Sequence, residues 1–205
     1  MVLIKSISGI RGTIHEDDSG LSSLEIRQSV CQFFLWLKSR YNQSSPMKIA
    51  VGRDGRISGE GILNLISSLL LKNGIDLLNM GLTTTPSVQM AVVTENCVAG
   101  IMISASHNPS NWNGLKFLNQ KGEFLSKKEG LEVFNFSYDI NSFTQNNIIP
   151  GFYHEIEYLD SHIASILNLK DVEVDKIRNR NFKIVVDGIN SSGGIYVPFL
   201  LSKLG

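Results

Sequence analysis

The sequence predicts an α/β protein: a mixed-sheet, three-layer α/β/α first domain followed by the start of a second α/β domain. Three observations predict it. Helical and strand patterns alternate along the chain, the run Val98–Ala105 is continuously apolar at the length of a central strand, and a polar loop follows that run directly.

The first helix is marked by Ser22 and Glu25 at capping-box spacing and by Leu21 and Ile26 at hydrophobic-staple positions. Val30, Phe33, Phe34 and Leu37 follow at helical spacing, so the helix should end near Arg40. Lys48–Gly52 is a short strand. Ile62, Leu65, Ile66, Leu69 and Leu70 give the next helix one apolar face, with Gly74 as its stop. Ile75–Met80 is another strand, and Thr85-Pro86 offers an N-cap with proline in the first turn of a helix running through Val92. Leu115–Leu118 is a short strand turning at Lys121-Gly122, and Ser126 with Glu129 caps a further short helix.

The tract Asp139–Pro150 has no period and no apolar face, which places a domain boundary there: residues 1–150 form the first domain and 151–205 the beginning of the second. Glu155–Leu169 is expected to be helical. Phe182–Asp187 (FKIVVD) has the pattern of a buried strand, followed by Gly193-Gly194 and an apolar helical run, Ile195–Leu204. One strand and one helix cannot complete a ladder or cover two faces, so the sequence is expected to be part of a longer chain.

Composition excludes several classes of function. Of 205 residues 42% are hydrophobic, and 19 Lys+Arg balance 19 Asp+Glu. Disorder calls for low hydrophobicity with high net charge, and sequence-independent nucleic-acid binding for a basic excess; neither is present. The longest mainly apolar stretch, Ile62–Leu71, is interrupted by Asn64, Ser67 and Ser68 and falls short of the about 20 residues that span a bilayer. The N-terminus lacks an extended apolar core and a small-residue cleavage site, so a cytoplasmic chain without a membrane partner is expected. Cys31 and Cys97 lack metal-site spacing and are expected to be buried thiols; His15, His154 and His162 are scattered, and solvent-facing or satisfied roles are expected for them.

Chemistry concentrates in the loop Ser104-Ala105-Ser106-His107-Asn108-Pro109, because ligands of open α/β sheets meet the carboxyl ends of strands. Pro109 holds Asn108 extended, and Asn113-Gly114 supplies a second tight turn that would fold the segment back and bring Lys116 towards Ser106. Each of these residues taken singly is an ordinary loop residue.

Taken together, SASHNPSNWNGLKF resembles the active-site loop of the α-D-phosphohexomutase superfamily, whose pattern is Thr/Ser-Ala-Ser-His-Asn-Pro followed shortly by Asn-Gly-x-Lys. Three further segments resemble the family in the same order: Ser8–Thr13 its N-terminal arginine segment, Val51–Arg56 its arginine-aspartate loop, and Gly81–Pro86 its next turn. Val185-Val186-Asp187-Gly188 resembles the start of the family's second domain. The bacterial phosphomannomutase, phosphoglucomutase and phosphoglucosamine mutase branch is the most similar.

The resemblance implies that Ser106 carries a phosphate, gives it to a hexose phosphate to form a bisphosphate, and takes back the other phosphate after the sugar reorients. One anchored donor then serves two distant oxygens, C1 and C6, each in line. A phosphoserine adds about −1.5 to −2 charge, which cations must balance. Lys116 is the implied acid/base or transition-state cation and Arg11 the implied electrostatic clamp. His107 and Asn108 are given supporting roles. Arg53, Asp54 and Arg56 are expected to form an ion network that fixes the loop rather than to act in the chemistry. The resemblance also implies Mg2+, bound to Ser106 through its phosphate, with its remaining ligands in an acidic second-domain loop that this sequence does not contain. Residues 1–205 alone are therefore expected to be inactive, with the sugar and the oligomeric state left open. The alternatives are a non-catalytic chain that binds phosphate or another polypeptide, and a serine hydrolase, for which no Gly-x-Ser-x-Gly or Ser-His-Asp arrangement is present.

Overall fold

A computed structural model describes residues 2–7, 9–15, 20–41, 47–137 and 149–205. It begins with an element that sequence patterning leaves unassigned. Leu3–Ser6 (β1) and Gly9–Thr13 (β2) form an antiparallel hairpin, and β2 pairs antiparallel with Trp112–Leu118 (β6). Ser8, part of the N-terminal motif, lies outside the described residues.

Helix α1 (Ser23–Arg40) is capped by Ser22, whose Oγ accepts the Glu25 N–H at 3.1 Å. The reciprocal half of the expected box is replaced: Glu25 pairs with Lys5 at 2.8 Å, tying the helix start to β1. Strand β3 (Lys48–Arg53), helix α2 (Gly59–Lys72) and strand β4 (Asp76–Leu82) follow the expected order. Helix α3 (Thr85–Thr94) is capped one residue earlier than expected: Thr84 Oγ1 accepts from the Ser87 N–H, which leaves Pro86 inside the first turn. Strand β5 (Ala99–Ile103) is buried at every position, and α4 (Lys127–Phe134) has the complete Ser126/Glu129 capping box.

The strands form one seven-stranded sheet in the order β1-β2-β6-β5-β3-β4-β7. β5 is central, antiparallel to β6 on one side and parallel to β3 on the other, so the sheet is mixed. One core joins α1 and α2 to inward residues such as Ile49, Leu77, Ile101 and Phe117; Phe33 stacks on Phe117 with ring centroids 4.4 Å apart. Burying such a ring contributes about 2–3 kcal/mol. The opposite face packs Ala50, Leu78, Met80 and Met102 against Val88, Ala91 and Val92 of α3. This is the three-layer α/β/α arrangement.

Beyond residue 150 the pattern expectations meet two differences. Glu155–Leu169 is not helical throughout: Tyr153–Glu155 (β7) pairs parallel with β4, and α5 (Leu159–Leu167) begins only after it. β7 thus adds a strand to the same sheet, and buried Tyr158 joins the α3 core, while residues 139–148 of the expected boundary tract lie outside the described residues. Phe182–Asp187 is not a buried strand. A strand exists only with a ladder partner, and no described residue pairs with it, so Phe182 (63%), Ile184 (56%) and Val185 (99%) stand exposed. Helix α6 (Val174–Arg178) precedes this segment and α7 (Gly193–Leu204) follows it. Among the described residues no helix is long and apolar enough to cross a membrane.

Candidate active site

Strand register places the two candidate cations. On β2 Ile10 is buried while Arg11 is exposed, and on β6 Leu115 and Phe117 are buried on either side of half-buried Lys116. Directly paired residues of an antiparallel ladder share a face. Arg11 lies opposite Gly114 and Lys116 opposite Gly9, so both cations stand on one face, each across from a glycine. Neither glycine can be larger: a Cβ on Gly114 would be 2.6 Å from the Ile10 carbonyl oxygen, and one on Gly9 1.9 Å from that of Leu115.

Ser106 occupies the turn that joins β5 to β6. Its side chain is exposed, its φ is +56°, and its N–H donates to Ser104 Oγ at 3.1 Å. A non-glycine residue in the left-handed region is uncommon and clusters at functional sites. Here Arg56 supports it. Its guanidinium donates to the carbonyl oxygens of Ser106 (2.9 Å), Asn108 (2.7 Å), Pro109 (2.6 Å) and Trp112 (2.9 Å). Asp54 pairs with Arg56, with Nε 3.3 Å from Oδ2, a contact that is ionic without hydrogen-bond alignment; Asp54 Oδ1 also accepts the Arg56 N–H at 3.1 Å. Arg56 is thus committed to the backbone of the loop. Arg53 is directed elsewhere, to the Asp54 carbonyl at 3.3 Å and towards Glu60 at 4.0 Å.

The reversal itself differs from expectation. Asn113-Gly114 is not a turn but part of β6, with Asn113 fully buried and its Nδ2 donating to Ser58 Oγ at 2.9 Å. Gly114 is demanded by the close approach of its paired neighbour β2, not by turn geometry. Residues 104–111 make the reversal, and the outcome is nonetheless that Lys116 and Ser106 line one cleft. Its volume is ≈ 270 Å³, and Ser6, Gly9, Arg11 and Ser104 also line it. Arg11 Nη1 reaches Asn108 Oδ1 at 3.5 Å, and His107 Nδ1 lies 3.5 Å from Ser106 Oγ, both at the limit of a hydrogen bond.

Burial holds the Lys116 amine below its ordinary 10.5; Asp54 opposes that shift and Arg11 adds to it. The neutral amine is thereby more accessible than in a free lysine, as suits a group exchanging a proton with a hydroxyl.

A family model described as phosphoglucomutase/phosphomannomutase, alpha/beta/alpha domain I, matches residues 4–138. The chain belongs to the phosphoglucomutase/phosphomannomutase family. It is 34% identical over 199 residues to a phosphoglucomutase/phosphomannomutase of Thermococcus kodakarensis, covering 96% of this chain and 42% of that one. Against a phosphoglucosamine/phosphogalactosamine mutase of Sulfurisphaera tokodaii the identity is 28% over 199 residues, covering 96% and 41%. The crystal structure of the phosphoglucomutase parafusin of Paramecium, in its open form, superposes with a TM-score of 0.76 at 19% identity, covering 98% of this chain and 41% of that one, a likeness of fold alone. The chain thus spans about two fifths of the length of the curated relatives it matches.

The described residues of this family member do not by themselves fit a divalent cation. No group of three His, Cys, Asp or Glu converges among them, and Asp54 is taken up by Arg56. The sequence patterns also pass over two supporting residues, Ser58 and Ser191, whose hydroxyls accept from Asn113 and from the Gly55 N–H. A serine in a loop carries no signal of its partner.

Proposed function

We propose that this chain is the phosphoryl-carrying part of a phosphohexomutase, with Ser106 as the carrier. The observation that supports it is the single cleft shared by Ser106, Lys116 and Arg11. In the forward step the bond from phosphorus to Ser106 Oγ breaks as a sugar hydroxyl bonds to phosphorus. The hydroxyl gives up its proton and Ser106 regains one, with Lys116 as the exchanging group. Arg11 offsets charge on the phosphoryl oxygens. The second step runs this in reverse on the other end of a bisphosphate.

The relatives' names span gluco, manno and amino sugars and, in one case, a pentose; a sugar phosphate is the proposed substrate class, and the greater number of hexose names favours a hexose phosphate. Segments beyond those present here would supply the sugar-reading contacts and the acidic ligands of Mg2+, to which this chain would contribute only the phosphate oxygens on Ser106. Residues 1–205 alone are proposed to accept phosphate without completing a turnover.

Incubation with a hexose 1,6-bisphosphate followed by peptide mass spectrometry tests this. Phosphate is expected on Ser106 and absent from Ser106→Ala. A wild-type chain that neither carries nor acquires phosphate there would overturn the reading and favour the non-catalytic alternative, to which the exposed apolar segment Phe182–Val186 lends some support.

A further inference from the structure

The turn Asp187–Ser191 is strained. Ile189 and Asn190 both occupy the left-handed region, at φ +46° and +54°. Asparagine tolerates that conformation, whereas a β-branched side chain there is an outlier that persists only where its surroundings demand it. Asp187 Oδ1 supports the turn by accepting the Ile189 N–H at 2.9 Å. What the turn delivers is Ser191, whose Oγ accepts the Gly55 N–H at 2.9 Å.

That hydroxyl stands just ahead of α7, whose N-cap residue, Ser192, makes no side-chain cap, and it turns to the Gly55 loop instead. The approach is close: a Cβ on Gly55 would stand 2.9 Å from Ser191 Cα and 3.0 Å from the Asn190 carbonyl oxygen. The turn is also anchored from behind, because buried Tyr196 shares a 2.7 Å hydrogen bond with Thr83 Oγ1. Gly55 immediately precedes Arg56, which gathers the carbonyls of the Ser106 loop. The turn, the Gly55 loop and the Ser106 loop together wall a second cleft of ≈ 320 Å³.

We propose that Ser191 is a positioning residue for Ser106, acting through Gly55 and Arg56. The inference rests on Ser106 being the phosphoryl carrier. It gives the strained turn a purpose: a segment distant in sequence sets the placement of the arginine that fixes the acceptor.

Ser191→Ala and Ser191→Thr test this through two readouts, amide hydrogen exchange and the rate of Ser106 phosphorylation by a hexose 1,6-bisphosphate. Ser191→Ala is expected to speed exchange at Gly55 and across 104–112 about tenfold, with α1 unchanged. Phosphorylation should slow by about tenfold or more. Ser191→Thr, which keeps the hydroxyl, should restore both. Faster exchange at Gly55 with 104–112 unaffected, or an unchanged phosphorylation rate, overturns the proposal. If the alanine variant loses α1 protection as well, Ser191→Cys, a weaker acceptor of similar shape, decides by the same readouts. A wild-type chain that is never phosphorylated defeats the carrier reading, while the exchange pattern still shows whether the two loops are coupled.

Discussion

Arg56 holds Ser106 by its backbone: the guanidinium Nη2 lies 2.9 Å from the Ser106 carbonyl oxygen. An arginine beside the serine proposed as carrier would be expected to bind the phosphate itself. Its donors here are taken by four carbonyl oxygens and its charge by Asp54. The carbonyl oxygens of the loop are thus held by Arg56, while Arg11 meets the loop only at the Asn108 side chain, 3.5 Å away.

Arg56→Lys keeps the charge and loses the fork. A lysine has three rotatable donors on a flexible stem and cannot reproduce four carbonyl bonds in one plane. Urea unfolding should show a loss of about 2 kcal/mol, with faster amide exchange over 104–112. An unchanged midpoint would refute the clasp.

Lys116→Met should raise the thermal midpoint while removing phosphoryl transfer. Burial lowers the Lys116 pKa, so the folded state disfavours its charge. In the window from the lowered folded value up to 10.5 the unfolded chain binds the extra proton, and wild-type stability rises with pH there. The methionine variant should lack that rise and gain on the order of 2 °C near neutrality. A lowered midpoint at neutral pH would show that the charge is net stabilising where it stands.

Gly114→Ala tests the close approach of β2 beside β6. Its Cβ would meet the Ile10 carbonyl oxygen at 2.6 Å and Arg11 Cβ at 2.9 Å. Both are held by the ladder, so the strands must part, and a loss of about 2 kcal/mol or more is expected in chemical denaturation. Wild-type stability would mean that β2 yields freely.

His162 gives the fold an acid limit. Its Nδ1 lies 2.7 Å from the buried Ser87 Oγ, and burial pushes its pKa below 6.5. As pH falls through 6.5 the unfolded chain takes up the proton first, so stability present above that value is lost progressively down to the folded pKa. Thermal melts of His162→Gln should be flatter than wild type between about pH 7 and 5. Parallel profiles would contradict the assignment.

Local signals in the sequence carried most of the fold. Ser22, Ser126 and the apolar run at β5 name their own elements, because caps and burial act within a few residues. The β1–β2 hairpin was not legible, since its strands are short and its partner, β6, lies about a hundred residues away. FKIVVD shows the converse: strand propensity without a neighbouring strand leaves the segment exposed. At the site, the motif pointed to Ser106, Lys116 and Arg11. The grip of Arg56 was legible only as a network of unspecified partners, because carbonyl oxygens belong to every residue and no side chain announces where they point.

Arg11 and Lys116 owe their common side to the alternation of two paired strands. Substitutions around them can accumulate, yet inserting or deleting one residue in either strand would carry a cation through to the opposite layer. Lineages of this chain should therefore diverge in composition well before they diverge in length across 9–13 and 112–118.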